Sequence, residues 1–148
     1  DEVGPEGLAS AGLADLGDAN PRDLSGGERQ RLALEIVLGG GHPAVVCLDE
    51  PTRGMDRAWR DGLVERLRSL AASGSAVLVA THDVELAAEL ADRVVLLGRG
   101  EPIADGPAAE VLAGGWHFTT DVARVLDGAA GALTPAAGAA LMQRELVR

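Results

Sequence analysis

A chain of 148 residues that is 47% apolar and 24% charged is globular, with enough length for a core, rather than disordered. Its net charge of −10 argues against a nucleic-acid or anionic-membrane surface. Its single cysteine, Cys47, rules out an internal disulfide and points to a reducing compartment. No apolar run approaches the roughly 18 residues of a membrane span. All 13 basic residues are arginines, so a phosphate loop of the form G-x-x-x-x-G-K-S/T is excluded from these residues.

The first segment opens DEVGPEG, with neither an initiating Met nor a signal peptide, which reads as a piece of something longer. Leu8, Leu13 and Leu16 predict a short helix followed by a loop through Asn20-Pro21. The stretch LSGGERQ, residues 24–30, then opens a helix running to Leu38. Ser25 with Glu28 three residues later reads as a capping box, which accounts for one glycine at most. Gly26 and Gly27 leave bare N–H groups at a positive helix end, which suits a phosphate. The dense apolar positions Leu32, Leu34, Ile36, Val37 and Leu38 predict a largely buried helix, ended by Gly39-Gly40-Gly41.

AVVCL, residues 44–48, is short, continuous and β-branched, the pattern of a strand buried on both faces, with Cys47 as core filler. It ends in Asp49-Glu50-Pro51. Residues 57–72 carry Trp59, Leu63, Leu67, Leu70 and Ala71 at helical spacing, which predicts an amphipathic helix with Trp59 in its packed stripe. AVLVA, residues 76–80, repeats the buried-strand pattern and leads to Thr81-His82-Asp83, with Asp83 placed to cap the next helix. RVVLL, residues 93–97, is a third strand. Pro102 places EPIAD at an edge, and Pro107 starts a short helix. Strand and helix alternate as in an α/β layered sheet. In the tail, Thr134-Pro135 is placed to start a last helix, and Trp116 and Phe118 read as anchors against the body.

In an open parallel sheet, ligands bind at the carboxyl ends of the strands, where Asp49, Glu50 and His82 fall. Singly, each motif is also a helix cap, a polar turn or a surface histidine. In this order they resemble the second half of an ABC-type ATPase, over about residues 8–113. LSGGERQ resembles the family's signature motif, VVCLDE its Walker B strand with the catalytic glutamate, PTRGMD its D-loop with Met55 where Leu is usual, and THD its H-loop. More narrowly, DEPTRGMD, the ERQRLAL run and FTTDVARVL…LTP resemble the ATPases of energy-coupling factor (ECF) transporters, which import vitamins and transition metals. The Ala-rich chain end departs from the ECF pattern.

The resemblance implies a partial P-loop NTPase fold, a mostly parallel sheet with flanking helices and no Walker A strand. It implies ATP and Mg²⁺ as cofactors. Asp49 would hold the metal; Glu50 and His82 would be catalytic; Ser25, Gly26, Gly27, Glu28 and Asp56 would meet the nucleotide or the partner domain. It implies two partners, a second ATPase domain arranged head to tail and a transmembrane coupling subunit at the cytoplasmic face of the membrane, and no nucleic acid. Residues 1–40 would end a helical subdomain, 41–114 would form half of the catalytic core, and 115–148 a tail. The missing strand would leave a gap in the sheet, so these residues alone should be marginally stable and inactive. The rival readings are an ABC ATPase outside transport and a non-catalytic signature-face fragment.

Overall fold

The computed structural model describes residues 3–114 and 118–146, which pack as two compact units divided after Ala80. In the first, α1 (Pro5–Ser10) starts on a proline and is followed by a 3-10 turn, Ala14–Leu16. Helix α2 (Gly26–Leu38), strand β1 (Val45–Asp49), helix α3 (Arg57–Ala72) and strand β2 (Ala76–Ala80) complete it. Strands β1 and β2 pair in parallel, Val45 opposite Ala76 through Asp49 opposite Ala80. A parallel pair needs a crossover, and α3 supplies it, packing on β2. Of the stripe expected on α3, Leu63, Leu67 and Leu70 are buried and Trp59 is half-buried, whereas Ala71 is exposed and Val64 is buried as well; α2 adds Leu34 and Leu38. Arg66 of α3 reaches Glu35 of α2 with Nη1–Oε2 at 2.6 Å, a bond made strong by charge on both sides and by the near-complete burial of Glu35.

Three burial expectations are corrected. The strands are covered on one face only: Val46 is buried, but Val45 is 60% exposed and Leu78 66%. Side chains alternate across a strand, so Val45, Cys47 and Leu78 share the exposed face of this two-stranded sheet. Cys47 lies on that open face and is exposed, so it is not core filler. On α2, Ile36 and Val37 are each 54% exposed, because the helix turns only one stripe to α3.

The second unit begins with helix α4 (Val84–Leu90), capped by Asp83, whose Oδ1 accepts from Leu86 N at 2.9 Å. Strand β3 (Arg93–Gly98) pairs antiparallel with β4 (Glu101–Pro107). Arg99 and Gly100, with φ of 54° and 84°, make the two-residue turn whose twist suits a tight hairpin. Pairing shifts between Leu96 and Leu97, opposite the stretch containing Pro102, which has no N–H to donate. Helix α5 (Ala108–Val111) starts after Pro107.

The tail is integral to this unit. Helix α6 (Asp121–Val125) is capped by the buried Thr120, whose Oγ1 accepts from Ala123 N at 3.1 Å. Ala123 and Leu133 join Ala108 and Leu112 in one core cluster. Asp121 N also donates to Glu85 of α4. Helix α7 (Pro135–Leu146) begins where Thr134-Pro135 predicts, and its Gly138 lets it lie against Val122 and Leu126 of the α6 segment. Anchoring comes from Thr120, Ala123 and Leu133 rather than from Phe118, which is 41% exposed. Trp116 falls outside the described residues.

Candidate functional site

Ser25 is the N-cap of α2, with extended backbone (φ −61°, ψ 165°). Its Oγ accepts from Glu28 N at 3.3 Å, and Glu28 Oε2 accepts from Ser25 N at 2.7 Å. The capping box is therefore complete, and it uses the Glu28 carboxylate and the Ser25 N–H. The N–H groups of Gly26 and Gly27, in the first turn, have no acceptor within the helix. The hydrogen bonds from the Ser25 side chain and backbone hold the Glu28 carboxyl below its usual range. A carboxylate lowered on folding stabilises the folded state at pH above its ordinary range and loses that contribution as pH falls through its folded value. Acidification is expected to fray the first turn of α2. Amide exchange of Gly26 to Arg29 should rise with the titration of Glu28, and Glu28→Gln should remove that pH dependence.

The two glycines have different reasons. A Cβ on Gly27 would lie 2.6 Å from the carbonyl oxygen of Gly54, closer than any real side chain sits. A Cβ on Gly26 would meet nothing within 4 Å. Gly27 thus lets two backbones approach, whereas Gly26 leaves an open face at the helix start. The local pattern held no sign of the Gly54 contact, because that residue lies far along the chain.

Asp49 ends β1 and is exposed. Glu50 follows in the left-handed region, with φ 46°. That conformation costs a residue with a Cβ on the order of 1–3 kcal/mol and persists only where its surroundings impose it. Here Glu50 N donates to Ala80 O at 2.8 Å, at the end of β2, and Arg53 N donates back to Glu50 O at 3.2 Å. The next residue, Pro51, is fully buried. Met55 N donates to Thr52 O at 3.1 Å, Gly54 takes φ 74°, and Asp56 caps α3 through Oδ1 to Trp59 N at 3.0 Å. Two consecutive turns thus carry the chain from the carboxylates to α3. Trp59 packs as expected and also lies beneath the Arg31 guanidinium, 4.7 Å from the ring centroid.

The first unit therefore holds Ser25, Gly26, Gly27 and Glu28 against the turn that runs from Asp49 and Glu50 to Asp56. Gln30 joins the two parts, donating from Nε2 to Pro51 O at 3.3 Å, a contact the sequence did not signal. His82 belongs to the second unit, exposed on the segment before α4. Among the described residues no three His, Cys, Asp or Glu side chains cluster as a metal cage. The single carboxylate of Asp49 still suits Mg²⁺, which keeps several waters and takes phosphate oxygens as ligands. The open Gly26 face and the free first-turn donors suit a phosphate.

The start of α2 thus lies against the turn that follows the strand-end pair Asp49-Glu50 in an α/β unit. Residues 13–88 match the family model described as "AAA domain, putative AbiEii toxin, Type IV TA system". A "Putative ABC transporter ATP-binding protein" of Streptomyces coelicolor is 57% identical over 109 residues, 74% of this chain and 19% of the relative. The cobalt import ATP-binding protein CbiO of Rhodobacter capsulatus is 45% identical, over 72% of this chain and 38% of its own length. The energy-coupling factor transporter ATP-binding protein EcfA of Methanothermobacter thermautotrophicus is 38% identical, over 72% of this chain and 34% of its own length. Among solved structures, the ATP-binding subunit of an ABC transporter matches with TM-score 0.65 and 26% identity, over 72% of this chain and 44% of that one.

The chain belongs to this ATPase family and is a partial ATP-binding-cassette domain. It spans about a fifth of the length of the Streptomyces relative and under half of the solved one.

Proposed function

We propose that these residues are the second half of an ATP-hydrolysing domain that drives an importer of the ECF type, taking up a vitamin or a transition-metal ion. The observation that carries the ATPase reading is the open start of α2 held against the Glu50 turn. The importer reading draws on the relatives described as cobalt-import and energy-coupling factor proteins.

In this reading Asp49 holds Mg²⁺ through water. Glu50 orients the attacking water and takes its proton. His82 reaches the γ-phosphate and braces it. Ser25, Gly26 and Gly27 receive the γ-phosphate of ATP bound to a second ATPase domain, arranged head to tail. Glu28 holds that helix end in shape, and Asp56 touches the partner domain. When bound, ATP and its Mg²⁺ supply the electrophilic phosphorus and neutralise the developing charge. Residues 1–40 present the anion-facing helix, 41–114 carry the carboxylates and His82, and 115–148 are the tail. The remaining partner is a transmembrane coupling subunit at the cytoplasmic face. Among the described residues no helix is long and apolar enough to cross a membrane, so the spanning part must come from that subunit or from other residues. The net charge of −10 argues against a nucleic-acid partner.

The test is transport by the full-length protein with its membrane subunits in sealed vesicles. ATP supplied on the face bearing the ATPase should drive Co²⁺ or a labelled vitamin from the opposite side toward that face. Movement away from that face would overturn the importer reading and leave the ATPase reading standing.

A further inference from the structure

Gln30 lies four residues after Gly26 and three after Gly27, so the three share one face of α2. That face meets the turn after β1 at two points. Gly27 lies against the carbonyl of Gly54, and Gln30 Nε2 donates to the carbonyl of Pro51 at 3.3 Å. Pro51 follows the strained Glu50 directly, and its ring is fully buried. The turn is closed from within by Arg53 N to Glu50 O and Met55 N to Thr52 O, and neither bond uses the Pro51 carbonyl. Gln30 is the side chain that ties this peptide plane to α2.

We propose that Gln30 is a positioning residue: it holds the Pro51 peptide against α2 so that Glu50 keeps its left-handed backbone and its carboxylate stays aimed for water activation. The inference rests on the reading of Glu50 as the base. It makes α2 and the Glu50 turn one rigid piece, so the helix end facing an anion and the carboxylate of the same chain move together. A side chain that merely filled the gap would act through packing and would not need its N–H. A positioning donor is lost when only that N–H is removed.

The experiment uses the full-length ATPase and steady-state kinetics with Gln30→Glu, which keeps shape and polarity but has no donor when ionised. Gln30→Met keeps the length without charge. Both should lower kcat about tenfold or more while KM for ATP stays within about twofold, since a misplaced group costs the transition state rather than substrate binding. Thermal midpoints should stay near the parent value. Unchanged kcat in both variants would overturn the proposal. So would kcat, KM and thermal midpoint worsening together, or loss of the folded state in both, since these mark a purely structural tie. Glu50→Gln is run beside them: if it retains full turnover, the reading of Glu50 fails first, whatever Gln30 does.

Discussion

The 148-residue chain by itself is expected to show no ATP turnover, and mixing it with a separately produced segment that carries a G-x-x-x-x-G-K-S/T loop should restore it. Hydrolysis of ATP depends on positioning and charge stabilisation. These residues supply Asp49, Glu50 and the α2 start but no lysine to hold the β- and γ-phosphates. The open sheet face with Val45, Cys47 and Leu78 gives such a segment an apolar surface to cover. Burying that surface should also raise the thermal midpoint of the mixture above that of the chain alone. In the restored mixture, Glu50→Gln should lower kcat at least about a hundredfold, the ordinary scale of losing a general base. Turnover by the chain alone that Glu50→Gln abolishes would refute the requirement for a second segment. Turnover in the mixture that survives Glu50→Gln would remove Glu50 from its role.

The second large effect separates the two glycines of the α2 start. Gly27→Ala forces a Cβ against the backbone carbonyl of Gly54, where no flexible side chain can give way. Such overpacking costs about 1–3 kcal/mol and should shift the Glu50 turn as well, so stability and turnover fall together. Gly26→Ala meets open space, and alanine in place of glycine slightly favours a helix. Its stability should be unchanged or higher, yet turnover in the full-length protein should fall by on the order of a hundredfold, because a methyl group then displaces the approaching phosphate by about 1 Å. Denaturation midpoints with steady-state turnover on both variants read the two effects independently. Full activity in Gly26→Ala would show that no ligand approaches that face. Unchanged stability in Gly27→Ala would show that the Gly54 contact relaxes freely.

Caps and turns were legible because they are local. Ser25 with Glu28, Asp56 with Trp59 N and Asp83 with Leu86 N all obey a three-residue rule. The strands β1 and β2 and the long helix α3 follow from runs bounded by Gly, Pro and Asp. The motif order pointed to the family before any contact was known. Ile36, Val37 and Cys47 misled because apolar character says that a side chain prefers cover, whereas cover depends on which elements are present.

Sequence alone thus determined where α2, α3 and the strands β1, β2 and β3 lie to within a residue or so, and where α2, α3 and α4 are capped, since neighbouring backbone and side-chain groups settle those matters within a turn or two. Tertiary structure alone decided that Gly27 must lack a side chain, that Gln30 holds the Pro51 carbonyl, that Glu50 is bent into the left-handed region and that Glu35 pairs with Arg66. Each of those depends on groups some 20 to 30 residues apart meeting in space, and only the packing of α2, β1, β2 and α3 brings them within reach.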